Sequence, residues 1–544
     1  MIKHIIAFGV AAFSCAAVAQ DPMEAIADSF LARHGAGQIT GEPDELIKAA
    51  SSTDQLGQLH VRYRQRHDGL PVFGGELIVH VDKRAGRAYG ISDGLMRIGS
   101  HQVRPAIDRM AARLAAMKTM SQAQDAELTD ELGWYDAGTG PRLSWQVRVR
   151  NLALVPPFDW LVYVDAATGH ILRAYNDLRT LRAIDPVAYS RPVHRSAGPD
   201  TGQTQTSPQA AAQGSGITLY NGTVPLSIGA YQPFAGYALV DFSRGGMITT
   251  DLAGSMDGRT SMTQGALVIS NSSTFGDGTP FDPATVSAQA HFGAAVTWDY
   301  FLTVHGRQGI AGDGQGTVSR THYGAQYDNA YWSDACHCMT YGDGDMTMFT
   351  PFVSLDVSGH EMTHGITSAS ANLVYDGESG GLNESFSDIF GTAVEFYAHE
   401  SGSSTKEPNY LVAEDVFTPF DATDAMRYMD HPAKDGQSID NYRAYNRRLD
   451  VHHSSGLQNN VFYLLAHGGT NDTSGQAVEP IGRRQAEQVF YRALTTYLTS
   501  RSNFADACAA TAQAAADLLG DQAKDRVKKA WQAAGVRCGR AVVE

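Results

Sequence analysis

The chain is short of charge, of basic residues and of long apolar runs, and each shortage excludes something. Only 18% of its 544 residues are charged, and 58 acidic residues against 42 basic ones leave a formal net charge of −16. That balance offers no surface for nucleic acid. It does leave carboxylates to spare for a hard cation such as calcium. After residue 19 no run reaches eighteen apolar residues, so no membrane partner is expected for the processed chain. Cysteine is scarce too, at five. What remains, 43% hydrophobic, is the composition of a globular protein long enough for three or four domains.

Residues 1–19 read as a secretory signal. Lys3 and His4 precede an apolar run at 5–18, and Ala17-Val18-Ala19 is a small-x-small cleavage site. Cys15 raises a lipid anchor as the alternative, for which Ala12-Phe13-Ser14 is a poor lipobox. Residues 20–175 carry no metal-type cluster. They show a short helix at 28–35, strands at 60–66 and 70–82 about an Asp68-Gly69 turn, and a helical stretch at 104–120. Strands at 143–149, 160–165 and 170–173 follow, the last two flanking the turn 166–169. This is a small α+β module. Residues 176–214 have the Pro, Gly, Ser, Thr, Gln and Ala content of a linker, and exposed linkers are where proteases cut. Short strand patterns then run from 216 to 281, before an amphipathic helix at 288–304.

The rest is organised around Asp356-Val-Ser-Gly-His360-Glu361-Met-Thr-His364. On a helix, residues four apart project from one face a single turn apart, so His360 and His364 can grip one metal ion. Glu361 stands about 100° around the helix, near enough to act on a water there without being a ligand. Glu384 offers a third ligand, and two His with one Glu leave a fourth position open, the mark of a catalytic site. Glu384 lies on a second helical pattern whose apolar side is Leu382, Phe386, Ile389, Phe390 and Ala393, with Glu384, Asp388 and Glu395 on another side. Asp388, one turn on from Glu384, is placed to accept a hydrogen bond from a ligand imidazole, with Asn383 beside it. A third histidine ligand of the His-x-x-Gly-x-x-His kind is excluded by Thr367 and Ser370.

Nineteen residues separate His364 from Glu384. With that spacing and the string Gly380-Gly-Leu-Asn383-Glu384-Ser-Phe-Ser-Asp388, the chain resembles the thermolysin family of zinc endopeptidases, most nearly its pseudolysin and vibriolysin branch. The resemblance implies an α+β fold of two lobes: a β-rich lobe at 215–365 that includes the zinc helix, and a helical lobe at 366–544. Ahead of them it implies a propeptide at 20–175, acting as chaperone and inhibitor, on the strings Val72-Phe-Gly-Gly and Val164-Asp-x-x-Thr-Gly. The linker at 176–214 would then hold the maturation site.

The resemblance also implies roles. Zinc would sit on His360, His364 and Glu384, with Glu361 as general base. Tyr375 and His452 would stabilise the oxyanion, Asp450 orienting His452. In Tyr327-Asp-Asn329-Ala330-Tyr-Trp332, read alone as an edge strand, Asn329 and Ala330 would position an extended substrate. Arg427, by itself an exposed helical arginine, would bind the carbonyl beyond the scissile bond. Phe349, Phe352, Val357 and Met426 would line an apolar pocket on the leaving-group side. One calcium is implied on Asp356, Glu395, Asn409 and the Leu411 carbonyl, although Thr392 stands where the branch carries a Glu. Cys508 and Cys538 would pair. Cys336 and Cys338, in an insertion, are left as a tight ring, as free thiols, or as a Cys-His-Cys metal site lacking a fourth ligand. The expectation is a secreted, monomeric zymogen acting on proteins and peptides. An aminopeptidase and a non-catalytic zinc-binding adhesin are the rival readings.

Overall fold

A computed structural model of the chain describes residues 22–34, 44–99, 104–118, 120, 126–152, 156–182, 210–231, 236–254, 265–421 and 423–539. Residues 1–19, expected as a signal, and residues 183–209 of the expected linker lie outside the described residues.

Up to Asn176 the chain builds one eight-stranded sheet. In order across it lie Asp44–Thr53, Leu59–His67, Leu70–Asp82, Glu127–Asp136, Pro141–Asn151, Phe158–Asp165 and Ile171–Asn176, with Arg87–Gly94 pairing on Leu70–Asp82. The hairpin of Leu59–His67 and Leu70–Asp82 turns on Asp68 and Gly69, both at positive φ (49° and 71°), the twist that suits right-handed strands. Two helices cover two parts of the sheet. Glu24–His34 buries Ala27 and Leu31 against Val61, Tyr63, Leu77 and Val79. Arg109–Met117, capped by Asp108, lays Ala112 and Ala116 on Val147, Val149 and Val162. The two helices expected at 28–35 and 104–120 are thus present, with the first shifted and the second shortened.

From Ala210 onward two further sheets pack on helices around one large core. Helix Pro283–His305 starts with Asp282 capping the Ala284 amide and Pro283 in its first turn, and stops at Gly306 in the left-handed region. The amphipathic reading of this helix is corrected. Nearly every residue from Thr285 to Phe301 is buried, because strands pack on one side and helix Leu355–Ser368 on the other. Helix Leu355–Ser368 is in turn buried at every residue from Leu355 to Thr367. It crosses helix Gly377–Glu400 at Gly359 and Gly391, where a Cβ on Gly391 would meet the Asp356 carbonyl at 2.4 Å. Only glycine allows that approach. Helices Gly456–His467, Arg483–Arg492, Phe504–Leu519 and Asp521–Ala533 complete this half, and a Cys508–Cys538 disulfide ties the end of the described chain to it.

The linker assignment also needs correction at both ends. Ala210–Ile217 is a strand, and so is Arg179–Thr180, the outer strand of a seven-stranded sheet. Its neighbours in order are Ala330–Ser333, Cys338–Tyr341, Val318–Thr321, Met247–Asp251 and Val240–Asp241. Composition misses such a strand because its hydrogen-bond partner is some 150 residues away in sequence.

The first sheet docks on the helical half through a buried polar cluster. Asp54 joins His60 Nε2 (2.9 Å) and Arg492, while His60 Nδ1 meets His80 Nδ1 at 2.8 Å and His80 Nε2 meets Ser92 Oγ at 2.9 Å. Tyr497 packs edge-on against both rings. The carboxylate requires a proton on His60 Nε2, so His60 Nδ1 accepts and His80 Nδ1 donates. A further proton on His60 would set its Nδ1–H head to head with that of His80. Burial accordingly holds both pKa values down, against Asp54 at His60 and reinforced by His60 and Arg492 at His80. A base with a depressed folded pKa gives stability that is complete above its unfolded value, about 6.5, and is lost as pH falls below it. The intact chain should therefore lose thermal stability between about pH 7 and pH 5, and His80→Phe should flatten that slope. Equal slopes in the two proteins would clear the histidine pair of responsibility.

Candidate active site

His360 and His364 sit one turn apart on the buried helix with their rings 4.7 Å apart. The neighbouring helix supplies acceptors to both: His360 Nδ1 lies 2.9 Å from Asp388 Oδ1, and His364 Nδ1 lies 2.8 Å from Asn383 Oδ1. Asn383 is itself fixed, donating to the Leu373 carbonyl at 3.0 Å. Each Nδ1 is therefore a donor, and each neutral ring turns a bare Nε2 lone pair inward. The two Nε2 atoms face one another at 3.0 Å. Burial pushes His364 down to about 4, against the pull of Glu384, which keeps it neutral. Glu384 approaches the same point, 3.3 Å from His364 Nε2 and 3.6 Å from His360 Nε2, and its buried Oε2 has no hydrogen-bond partner. Two facing lone pairs and an orphaned carboxylate oxygen fit a cation and little else. Among the described residues this is the one cluster of three metal-type ligands.

Glu361 is fully buried beside them, with no side-chain partner at either carboxylate oxygen and the Trp332 backbone amide turned towards it. Burial, then the charge on Glu384, raises its pKa well above the usual carboxylate range. Across the site the Tyr375 hydroxyl bonds Glu384 and lies 3.2 Å from His452 Nε2. Asp450 accepts from His452 Nδ1 at 2.5 Å and from its backbone amide at 3.0 Å. Burial works against the charge on His452, but Glu384 and Asp450 overcome it and push the imidazole up to about 9. At neutral pH both of its nitrogens donate.

A segment that the sequence reading assigned to a linker runs through this site. The Thr180 carbonyl accepts from His452 Nε2 at 2.6 Å and lies 3.3 Å from the Tyr375 hydroxyl. The Leu181 amide donates to the Ala330 carbonyl at 3.2 Å, and the Leu181 carbonyl accepts from Arg427 Nη1 at 2.7 Å. Asn329 takes the next residue at both ends: its Oδ1 accepts from the Arg182 amide (3.2 Å) and its Nδ2 donates to the Arg182 carbonyl (3.0 Å). Leu181 is fully buried in the core that contains Phe349, Phe352 and Val357, against which Met426 packs, and the Arg182 guanidinium covers the Phe349 ring at 4.6 Å. Arg427 is neither exposed nor helical. It lies in a two-residue strand, 4% exposed, clamped by Asp388 at 2.8 and 2.6 Å.

The remaining expected residues fall into two places. Asp356 is buried, accepting from Ser354 Oγ at 2.5 Å and from the Ala413 amide. Glu395 lies near it, with Glu414 and Asp415, and Lys406 Nζ reaches all three at 3.3, 2.8 and 2.7 Å. Asn409 turns its oxygen to the Leu411 amide (2.7 Å) and donates to Glu414 (2.9 Å). Lys406, Glu414 and Asp415 were not singled out in the sequence, although the acidic pair adjoins Asn409 and Leu411. Cys336 and Cys338 are bonded to each other, which closes the tight ring and removes both the thiol and the metal readings. Asp334, from the same insertion, was also not anticipated. It holds Arg179 at 2.6 Å.

The thermolysin metallopeptidase catalytic domain matches residues 213–368, its α-helical domain 371–536, and the fungalysin/thermolysin propeptide motif 44–89. The chain is 34% identical to a thermolysin of Alicyclobacillus acidocaldarius over 92% of its own length and 87% of the relative's. It is 32% identical to a bacillolysin of Bacillus subtilis over 91% and 86%. A transglutaminase-activating metalloprotease of Streptomyces mobaraensis is 35% identical over 91% of this chain, which spans 61% of that longer protein.

If Asn383 sets the direction of His364, Asn383→Ala should weaken transition-metal binding by about 10–100-fold, as loss of such a partner generally does. Competition against a chromogenic chelator measures it. An unchanged affinity would mean that Ser387, 3.1 Å from the same nitrogen, does the orienting.

Proposed function

The chain belongs to the thermolysin family of metallopeptidases, and from that premise we propose that it is a secreted zinc endopeptidase, made as a zymogen, with a preference for a hydrophobic residue on the leaving-group side of the cut. That it is a metalloendopeptidase carrying a propeptide motif follows from the family itself. The observation that carries the zinc reading is the pair of bare Nε2 atoms beside the orphaned oxygens of Glu384 and Glu361.

Zinc held by His360, His364 and Glu384 would supply a Lewis acid that polarises the scissile carbonyl and acidifies a water. Glu361 takes a proton from the attacking water and passes it to the departing amine. His452 and Tyr375 donate to the carbonyl oxygen as negative charge gathers there, each such donor being worth about 3 kcal/mol. Asp450 keeps His452 aimed. Asn329, Ala330 and Arg427 hold the backbone on the leaving-group side, so the reacting carbonyl has little orientational freedom left to lose. The buried pocket of Phe349, Phe352, Val357 and Met426 favours an apolar side chain, because a polar one would lose its water there.

An endopeptidase is favoured over an aminopeptidase because the seated chain continues on both sides, with Arg179 before the held carbonyl and Arg182 after it. Peptides blocked at both ends should be hydrolysed. All these residues come from one chain, so a monomer suffices. We keep residues 1–19 as signal, 20–175 as propeptide, and lobes divided near 365.

We also propose one structural calcium at Asp356, Glu395, Asn409 and the Leu411 carbonyl, with Glu414 added to the set. Buried Glu395 Oε2 and Glu414 Oε2 both lack hydrogen-bond partners, and one ammonium does not balance four neighbouring carboxylates. Calcium-selective chelation should lower Tm by about 5–10 °C, the effect of losing a ligand held at about 100-fold its Kd. Added calcium should restore it. A Tm indifferent to both would leave Lys406 as the only cation of this cluster.

Glu361→Gln should retain zinc yet lose at least about 10²-fold in turnover of a doubly blocked peptide, since general-base transfer is generally worth that much. Full turnover in the zinc-loaded variant would remove Glu361 from the chemistry.

A further inference from the structure

We propose that the chain cuts itself at the Thr180–Leu181 bond, residues 179–182 being the first substrate of their own active site. This rests on the endopeptidase reading above and adds the bond, the register and the route.

The register is set from both sides of the bond. Thr180 presents its carbonyl to His452 and Tyr375, the two donors of the site. The atom that must leave, the Leu181 nitrogen, has its hydrogen on the Ala330 carbonyl. The following carbonyl is on Arg427 and the following amide on Asn329. Upstream, Thr180 pairs with Tyr331 and Arg179 with Trp332 in an antiparallel ladder. Sliding the segment by one residue would exchange every side chain between the two faces of that ladder. Thr180 or Arg182 would then enter the apolar core in which Leu181 is buried. Arg179 would lose Asp334 and Ser368, which hold it now. Of the bonds in this segment, one alone puts its carbonyl on the donors and an apolar side chain in the pocket.

Nothing in the segment resists attack. Neither residue at the bond is proline, and no other side chain hydrogen-bonds to the buried Glu361 carboxylate. In the cut, water adds to the Thr180 carbonyl carbon and the bond to the Leu181 nitrogen breaks. One proton of the water reaches that nitrogen through Glu361. The products are a Thr180 carboxylate and a new amino terminus at Leu181, with water the only reactant consumed. Because the bond is already docked, the step is unimolecular.

The test uses the full chain, refolded with zinc and sampled from the first minutes by denaturing mass spectrometry, with Glu361→Gln as the uncut reference. The first new amino terminus should be Leu181, appearing at a rate unchanged over about tenfold dilution. Leu181→Asp should slow that cut by at least about 10²-fold and Leu181→Met should not, since a carboxylate is rejected by a dry pocket that accepts methionine. A first terminus within 183–209 while Thr180 and Leu181 remain joined would overturn the proposal, and so would a rate proportional to concentration. Assay of the same samples on a doubly blocked peptide separates the two levels. Zinc-dependent hydrolysis with a first cut elsewhere sinks the bond alone, whereas no hydrolysis and no cut would sink the endopeptidase reading with it. If Leu181→Asp does not fold, as read by circular dichroism, the wild-type time course and Leu181→Met decide.

Discussion

Two imidazole nitrogens without a proton between them, held 3.0 Å apart inside a buried helix pair, are the constraint on which the rest of this protein depends. Lone pairs so placed repel, and no solvent is at hand to separate them. They stay because each ring is anchored on its far side, His360 by Asp388 and His364 by Asn383. Those anchors come from the second helix, which reaches them only because Gly359 and Gly391 let the two backbones nearly touch. A buried polar arrangement of this kind is costly when incomplete and rigid when complete. A cation held by His360, His364 and Glu384 would complete it.

Asp388 ties this constraint to substrate recognition. Its Oδ1 accepts from both His360 and Arg427, and its Oδ2 from Arg427 and Asn459. The residue that holds His360 therefore also aims the guanidinium that grips the Leu181 carbonyl. Burying an aspartate and an arginine in this way is no route to stability in itself, since desolvation offsets most of their attraction. The arrangement makes sense as positioning: ligand, substrate backbone and oxyanion donors keep fixed distances from one another.

How legible this was depends on where each signal lies. The histidines and Glu361 sit in one helical string and Glu384, Asp388 and Asn383 in another, and periodicity puts each set on one side of its helix. His452 with Asp450 and Tyr375 were placed by family resemblance, because nothing local tells a buried donor from a core residue. Burial was read least well. Helix Pro283–His305 looked amphipathic and is enclosed on nearly every side, because the sequence pattern does not show how many neighbours a helix will have. Arg427, which the resemblance makes a carbonyl-binding residue and which by itself reads as an exposed helical arginine, is a buried clamp on a carbonyl. The last miss, residues 179–182, has no local signal. Their structure is borrowed from Ala330–Ser333, and a strand made by another strand's edge cannot be seen in its own composition.

That borrowed strand also settles a problem of form. Ala330–Ser333 would otherwise be a bare edge led by Ala330, Tyr331 and Trp332, all buried here, of the kind that invites pairing with other chains. The edge cannot be blunted by charge or proline without destroying the surface on which an extended peptide must lie. In the precursor Arg179–Thr180 covers it with the chain's own backbone, in the register a substrate would take. The covering segment and the substrate thus answer the same requirement. An edge that must pair with any suitable peptide is protected, until the propeptide leaves, by one suitable peptide held in place. The salt links of Arg179 to Asp334 and of Arg173 to Asp376 fasten that peptide from outside the pocket, where they do not alter the hydrogen bonds at the bond itself.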